Sequence, residues 1–174
     1  MALIRRRASA PRREPRREDF EVVDHDPFRV VADGEPLPDG DVLVSLSRFT
    51  AELEVLTARA GRVGVRVPND TRPELLEAVA TAALVALELP TQRDGRAYSL
   101  ARVLRQRFGY GGEVRATGKV VRDQLAYLAR VGFDGFELAR GSAHDALASF
   151  DDLSVHYQAS SDQPLPLWKR AARA

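Results

Sequence analysis

Residues 82–90 read AALVALELP, and this run decides the fold class. A strand that meets water on one side alternates apolar and polar residues, whereas near-continuous apolar character marks a strand covered on both faces. Such strands sit centrally in parallel sheets, whose connections are helices. The sequence on either side has that alternation. Upstream, DVLVSL (41–46) and RVGVRV (62–67) read as strands. Between them a helix carries Phe49, Leu53, Leu56 and Ala60 on one face, with Ser47 as its cap and Gly61 as its stop. In NDTRPELLEAVA (69–80), Thr71 and Glu74 form a capping-box pattern with Pro73 in the first turn.

Downstream, Ala97, Leu100, Ala101, Leu104 and Phe108 define one face of a helix that Gly109 ends. GEVRATG (112–118) follows as a strand, then a helix with Val121, Leu125, Leu128 and Gly132 on one face, then FDGFELA (133–139) as the fifth strand and a shorter helix around 143–151. The expectation is an α/β fold: a parallel sheet of about five strands from consecutive βα units, forming an open sheet or a partial barrel. Eight units would be needed to close a full barrel. FEVVDHDPFRVVADGEPLP (20–38) adds a small N-terminal β extension.

Residues 1–19 form an Arg-rich arm with prolines at Pro11 and Pro15, expected to be disordered because it has little apolar surface to bury. Residues 20–158 make one α/β domain, and 159–174 an extended tail. Its Trp168 either docks a partner or pins the tail to its own domain, the latter being the commoner use of a terminal tryptophan.

The chain has no cysteine. That excludes disulfides, thiolate nucleophiles and Cys-ligated clusters or zinc. His25, His144 and His156 lack metal-ligand spacing, so neither a metal nor a cofactor is expected. No apolar run is long enough for a membrane span, and the basic start lacks the apolar core of a secretory signal, so a cytoplasmic location is expected. No basic stripe with interleaved aromatics points to nucleic acid.

Right-handed crossovers bring every strand-to-helix loop to the carboxyl edge of a parallel sheet. The candidate binding residues there are Glu88, Arg93, Asp94, Arg96, Tyr98, Ser99, Arg115 and Glu137, together with Asn69, Asp70, Thr117, Gly118 and Lys119. Arg93, Arg96 and Arg115 can grip a sulfate, phosphate or carboxylate bidentately, or can pair internally with Asp94, Glu88 and Glu137. Glu88 and Glu137 become an acid/base pair only if their separation suits it. FGYGGE (108–113) follows a helix and precedes a strand, the wrong order for a dinucleotide site.

RDGRAYSLARVLRQRFGYGGEVRATGKVVRDQLAYLARVGFDGFEL (93–138) and SVHYQASSDQPLPLWKR (154–170) resemble the bacterial family known as domain of unknown function 934. The shared motif falls on Asp94, Gly95, Arg96, Tyr98 and Ser99, on Arg122, Asp123 and Gln124, and on Phe133, Asp134, Phe136 and Glu137. Members of that family are commonly encoded beside sulfite reductase and other sulfate-assimilation genes, and some carry an oxidoreductase label. The resemblance therefore implies a place in sulfite reduction. The absence of cysteine excludes the reductase itself, which needs a Cys-bound cluster, and leaves an accessory role with sulfite reductase or its electron donor as partner. The alternative is a small-molecule enzyme that takes a phosphate- or sulfate-bearing ligand at the carboxyl edge.

Overall fold

In the computed structural model, which describes residues 2–153 and 155–171, eight strands form one sheet. They are β1 (Ala2–Arg6), β2 (Phe20–Val23), β3 (Arg29–Val30), β4 (Val42–Ser45), β5 (Val63–Val67), β6 (Leu84–Leu89), β7 (Glu113–Val120) and β8 (Gly135–Leu138), in the order β2-β1-β8-β7-β6-β5-β4-β3. From β3 to β8 every neighbouring pair is parallel and consecutive in sequence. β4 to β8 are the five anticipated strands; β3 adds a sixth parallel one, and β1 and β2 extend the other edge antiparallel.

Consecutive parallel order with crossovers of one hand puts all connections on one face. These are α1 (Leu46–Ala51), α2 (Leu53–Ala58), a 3-10 stretch over Pro73–Thr81, α3 (Arg96–Gln106) and α4 (Leu125–Val131). Val44, Val65, Val85, Leu87, Val114 and Phe136 face them and join one core with Phe49, Leu56, Leu104 and Leu128. The alternate residues Leu43, Leu84 and Ala86 pack on the other face with Phe28. Both faces of β6 are thus buried, which explains its unbroken apolar run.

The chain's own reach sets the sheet's shape. β2 and β3 lie at opposite edges, yet only Asp24–Phe28 joins them. Laid flat, seven strand spacings would separate the edges by roughly 33 Å, while six residue steps reach about 20–22 Å. The sheet must therefore curl into a half-barrel, with helices outside and the Asp24–Phe28 link strapped across the concave inner face.

Three expectations need correction. The arm is not disordered throughout: Ala2–Arg6 is β1, wedged between β2 and β8, with Ile4 fully buried. Its short Ala-Leu-Ile run supplies apolar surface, and its partner strand satisfies the backbone. Helix α1 is capped by Ser45, whose Oγ accepts from Arg48 N at 3.0 Å, and not by Ser47. Trp168 is 57% exposed on the C-terminal helix Leu167–Ala171 and does not anchor the tail. Buried Arg130 does so instead, through Asp162 (3.2 Å) and the Gln158 carbonyl (2.7 Å), while Ser160 Oγ donates to the Arg130 carbonyl at 2.9 Å. Among the described residues no helix is long and apolar enough to cross a membrane.

Because Ile4 is buried between two strands and the helix-side core, Ile4→Ala is expected to cost roughly 2–4 kcal/mol in denaturant unfolding. A free arm would register within about 0.5 kcal/mol, as exposed substitutions do.

Candidate functional site

The strands carry their chemistry on the concave face, from the amino-end half of β7 to the carboxyl mouth of the half-barrel; Arg115, expected at the carboxyl edge, lies near the start of its strand. Arg115, third residue of β7, has no exposed surface. Its Nε donates to Glu113 Oε1 at 2.8 Å, and its Nη1 to Asp26 Oδ2 at 2.5 Å and to Glu137 Oε1 at 3.4 Å. Burial opposes the charge, but Glu113 and Asp26 outweigh it, and the net effect raises the Arg115 pKa. Asp26 comes from the strap, so the ion pair clamps that link to the sheet. Phe28, two residues on, packs over Leu84 and Ala86, with the Arg115 guanidinium 5.8 Å from its ring centroid.

Toward the carboxyl ends, Arg66 of β5 pairs with Glu88 of β6 at 2.9 Å. This pair, with Thr117, Gly118 and Glu137, lines a cavity of 350 Å³. A second hollow of 680 Å³ shares Val30, Arg66 and Glu88 and adds Asp33, Ser45 and Ser47, whose hydroxyls donate to Asp33. Gly118 shapes the mouth: its φ is 94°, and a Cβ there would lie 2.6 Å from the Leu89 carbonyl oxygen. Burial pushes the Glu137 carboxyl above its ordinary pKa, with Arg115 only partly opposing the rise. Glu137 is therefore the carboxyl best placed on this face to exchange a proton.

The predicted residues divide into groups. Glu88, Arg115 and Glu137 meet on the concave face. Asp94 on the β6–α3 loop and Arg96, the first residue of α3, pair with each other at 2.6 Å, which holds the Asp94 carboxyl well below its usual range. Arg93 is exposed and makes no ion pair among the described residues, and Ser99 is exposed on α3. Arg122 binds Asp152 at 2.9 Å, and Asp123 is exposed. Tyr98 is half-buried; its hydroxyl accepts from Gln124 Nε2 at 3.1 Å, and its ring lies 6.3 Å from that of Phe133. The Gln124 contact ties the first turn of α3 to the segment after β7. Of the arginines proposed to grip an anion, Arg96 and Arg115 are thus occupied internally.

The sequence reading did not include Asp26, Arg66 or Glu113. The spacing of Glu113 and Arg115 is a usable signal, since period two puts both on one face of a strand. Asp26 has no such signal, because its role depends on where the strap crosses the sheet.

A family model described as bacterial protein of unknown function (DUF934) matches residues 64–168, more than half of the chain. No curated protein and no solved structure matches it.

Glu137 gives the mouth a pH signature. A carboxyl whose folded pKa is raised adds stability at pH below its unfolded pKa, and that contribution is lost as pH rises through the folded value. Urea unfolding between pH 4 and 8 is therefore expected to show wild type losing stability relative to Glu137→Gln as pH rises. The opposite slope would mean that Arg115, not burial, governs Glu137.

Proposed function

Because the chain belongs to the DUF934 family, we propose that it is an accessory binding protein of sulfite reduction, acting in the cytoplasm on sulfite reductase or its electron donor. The pathway comes from the family likeness, and the accessory role from a chain with no cysteine to ligate a cluster. One observation carries the mode of action. Leu153, Val155, Tyr157 and Trp168, each 57–63% exposed, lie along the C-terminal segment. Exposed aromatic and aliphatic side chains gathered on one segment are what interfaces bury, and tyrosine and tryptophan contribute most there. The carboxyl-side arginines Arg96, Arg115 and Arg122 are already paired, which favours contact through the segment over capture of an anion at that edge.

A second reading is favoured by the 350 Å³ cavity beside Glu137. In it the chain is an enzyme that holds a phosphate- or sulfate-bearing small molecule at the mouth, with Glu137 as proton acceptor and Arg93 of the β6–α3 loop, which makes no ion pair among the described residues, as the cation.

The separating experiment captures partners of the tagged full chain from its own cell extract, with identification by mass spectrometry. Sulfite reductase or its electron donor is expected in the wild-type and Arg96→Ala captures and is expected to fall about tenfold or more in a Tyr157→Ala, Trp168→Ala double variant, the loss of two interface anchors. Recovery of neither protein, or equal recovery with the double variant, would reject docking through this segment.

A further inference from the structure

At the opposite end of the half-barrel, where the parallel strands begin, a cluster of arginines surrounds Asp134, the residue before β8. Asp134 Oδ1 accepts from Arg12 Nε at 3.0 Å; Oδ2 accepts from Arg12 Nη2 at 3.1 Å, from Arg105 Nη2 and from Val114 N at 3.2 Å. Arg6 Nε stands 3.5 Å from Oδ1, beyond a good hydrogen bond. Three guanidiniums therefore converge on one carboxylate. The side chains of Arg6 and Arg105 are only 6% and 7% exposed, and burial lowers both pKa values despite Asp134. Arg105 is compensated by Asp134 and by the carbonyls of Tyr110, Gly112 and Gly132, whereas buried Arg6 keeps a donor unmet.

These groups border a cavity of 280 Å³, whose wall also includes exposed Arg13 and buried Asp162. Four arginines against two aspartates leave that wall net positive. Two residues of this wall each carry a buried atom with no partner: Arg6 Nε, a donor, and Asp162 Oδ1, an acceptor. Asp162 uses its other oxygen on Arg130. A buried donor and a buried acceptor left open on residues of one cavity wall are the groups a ligand supplying both would satisfy.

We propose that this cavity binds a small oxyanion that retains an O–H, with hydrogenphosphate as its type. The anionic oxygens take the open donors of Arg6, Arg12 and Arg13, and the O–H donates to Asp162 Oδ1. An oxyanion with no proton, such as sulfate, would set a lone pair against that carboxylate. The cavity shares Ser161 and Asp162 with the C-terminal segment proposed for docking, but none of that segment's exposed apolar side chains lines it, and Arg12 and Arg13 bring the N-terminal arm into it as one wall.

Calorimetric titration of the full chain with inorganic phosphate, sulfate and chloride at matched ionic strength tests this. Phosphate is expected to bind saturably, with sulfate about tenfold weaker or more, the effect of one unmatched buried acceptor, and with chloride silent. Arg13 makes no ion pair among the described residues, so Arg13→Gln is expected to weaken phosphate binding with an unchanged melting temperature in the absence of phosphate. Arg93→Gln is expected to have no effect. No saturable phosphate signal, sulfate binding as tight as phosphate, or a loss caused by Arg93→Gln and not by Arg13→Gln would each overturn the assignment.

Discussion

The link Asp24–Phe28 is too short to join the edges of a flat eight-stranded sheet, and much of the structure follows from that shortfall. It forces the curl, and it carries the chain diagonally across the inner face from the end of β2 to the start of β3. What lies under the strap is shut away from water. Arg115 is buried there, and a buried guanidinium without partners would cost several kcal/mol. Asp26, Glu113 and Glu137 meet that demand from three different chain segments. The charge cluster is thus the polar filling of a half-barrel whose apolar filling is Phe28, Leu43, Leu84 and Ala86.

The two ends of the half-barrel are built differently. At the carboxyl mouth the loops of the family motif hold one another: Asp94 with Arg96, Tyr98 with Gln124, Arg122 with Asp152. At the amino end Asp134 gathers Arg6, Arg12 and Arg105 and so fastens the arm to the core. The motif stretch that contains Phe133, Asp134, Phe136 and Glu137 serves both ends, since Asp134 faces the amino end and Glu137 the inner face, with Phe136 turned toward the helices. Much of the motif therefore reads as scaffold. The surfaces proposed to contact other molecules are the C-terminal segment and the arginine-walled cavity, which shares Phe133 and Asp134 with the motif.

Periodicity made the parallel core legible. β4 to β8 stand where their apolar runs predicted, and the doubly covered β6 is central because its run never alternates. What escaped depends on contacts distant in sequence. Ile4 is one strongly apolar residue in an arginine-rich stretch, and the strand that buries it lies more than 130 residues away at Phe136. Arg115 between Val114 and Ala116 reads equally well as a solvent-facing residue of an alternating strand; only the strap, whose path no local pattern encodes, makes that face an interior. Arg130 similarly looks like the polar side of a helix until the tail folds over it. Long guanidinium stems can be buried while their heads find partners, so a charge-rich composition concealed interior positions.

The most direct test of the strapped half-barrel is a double-mutant cycle between Asp26→Asn and Arg115→Gln, read by urea unfolding at neutral pH. If Asp26 clamps the strap through Arg115, the double variant is less destabilised than the sum of the single ones, with a coupling of about 1–3 kcal/mol. Additivity within about 0.5 kcal/mol would mean that the strap is not held by this pair, and would contradict the closed inner face.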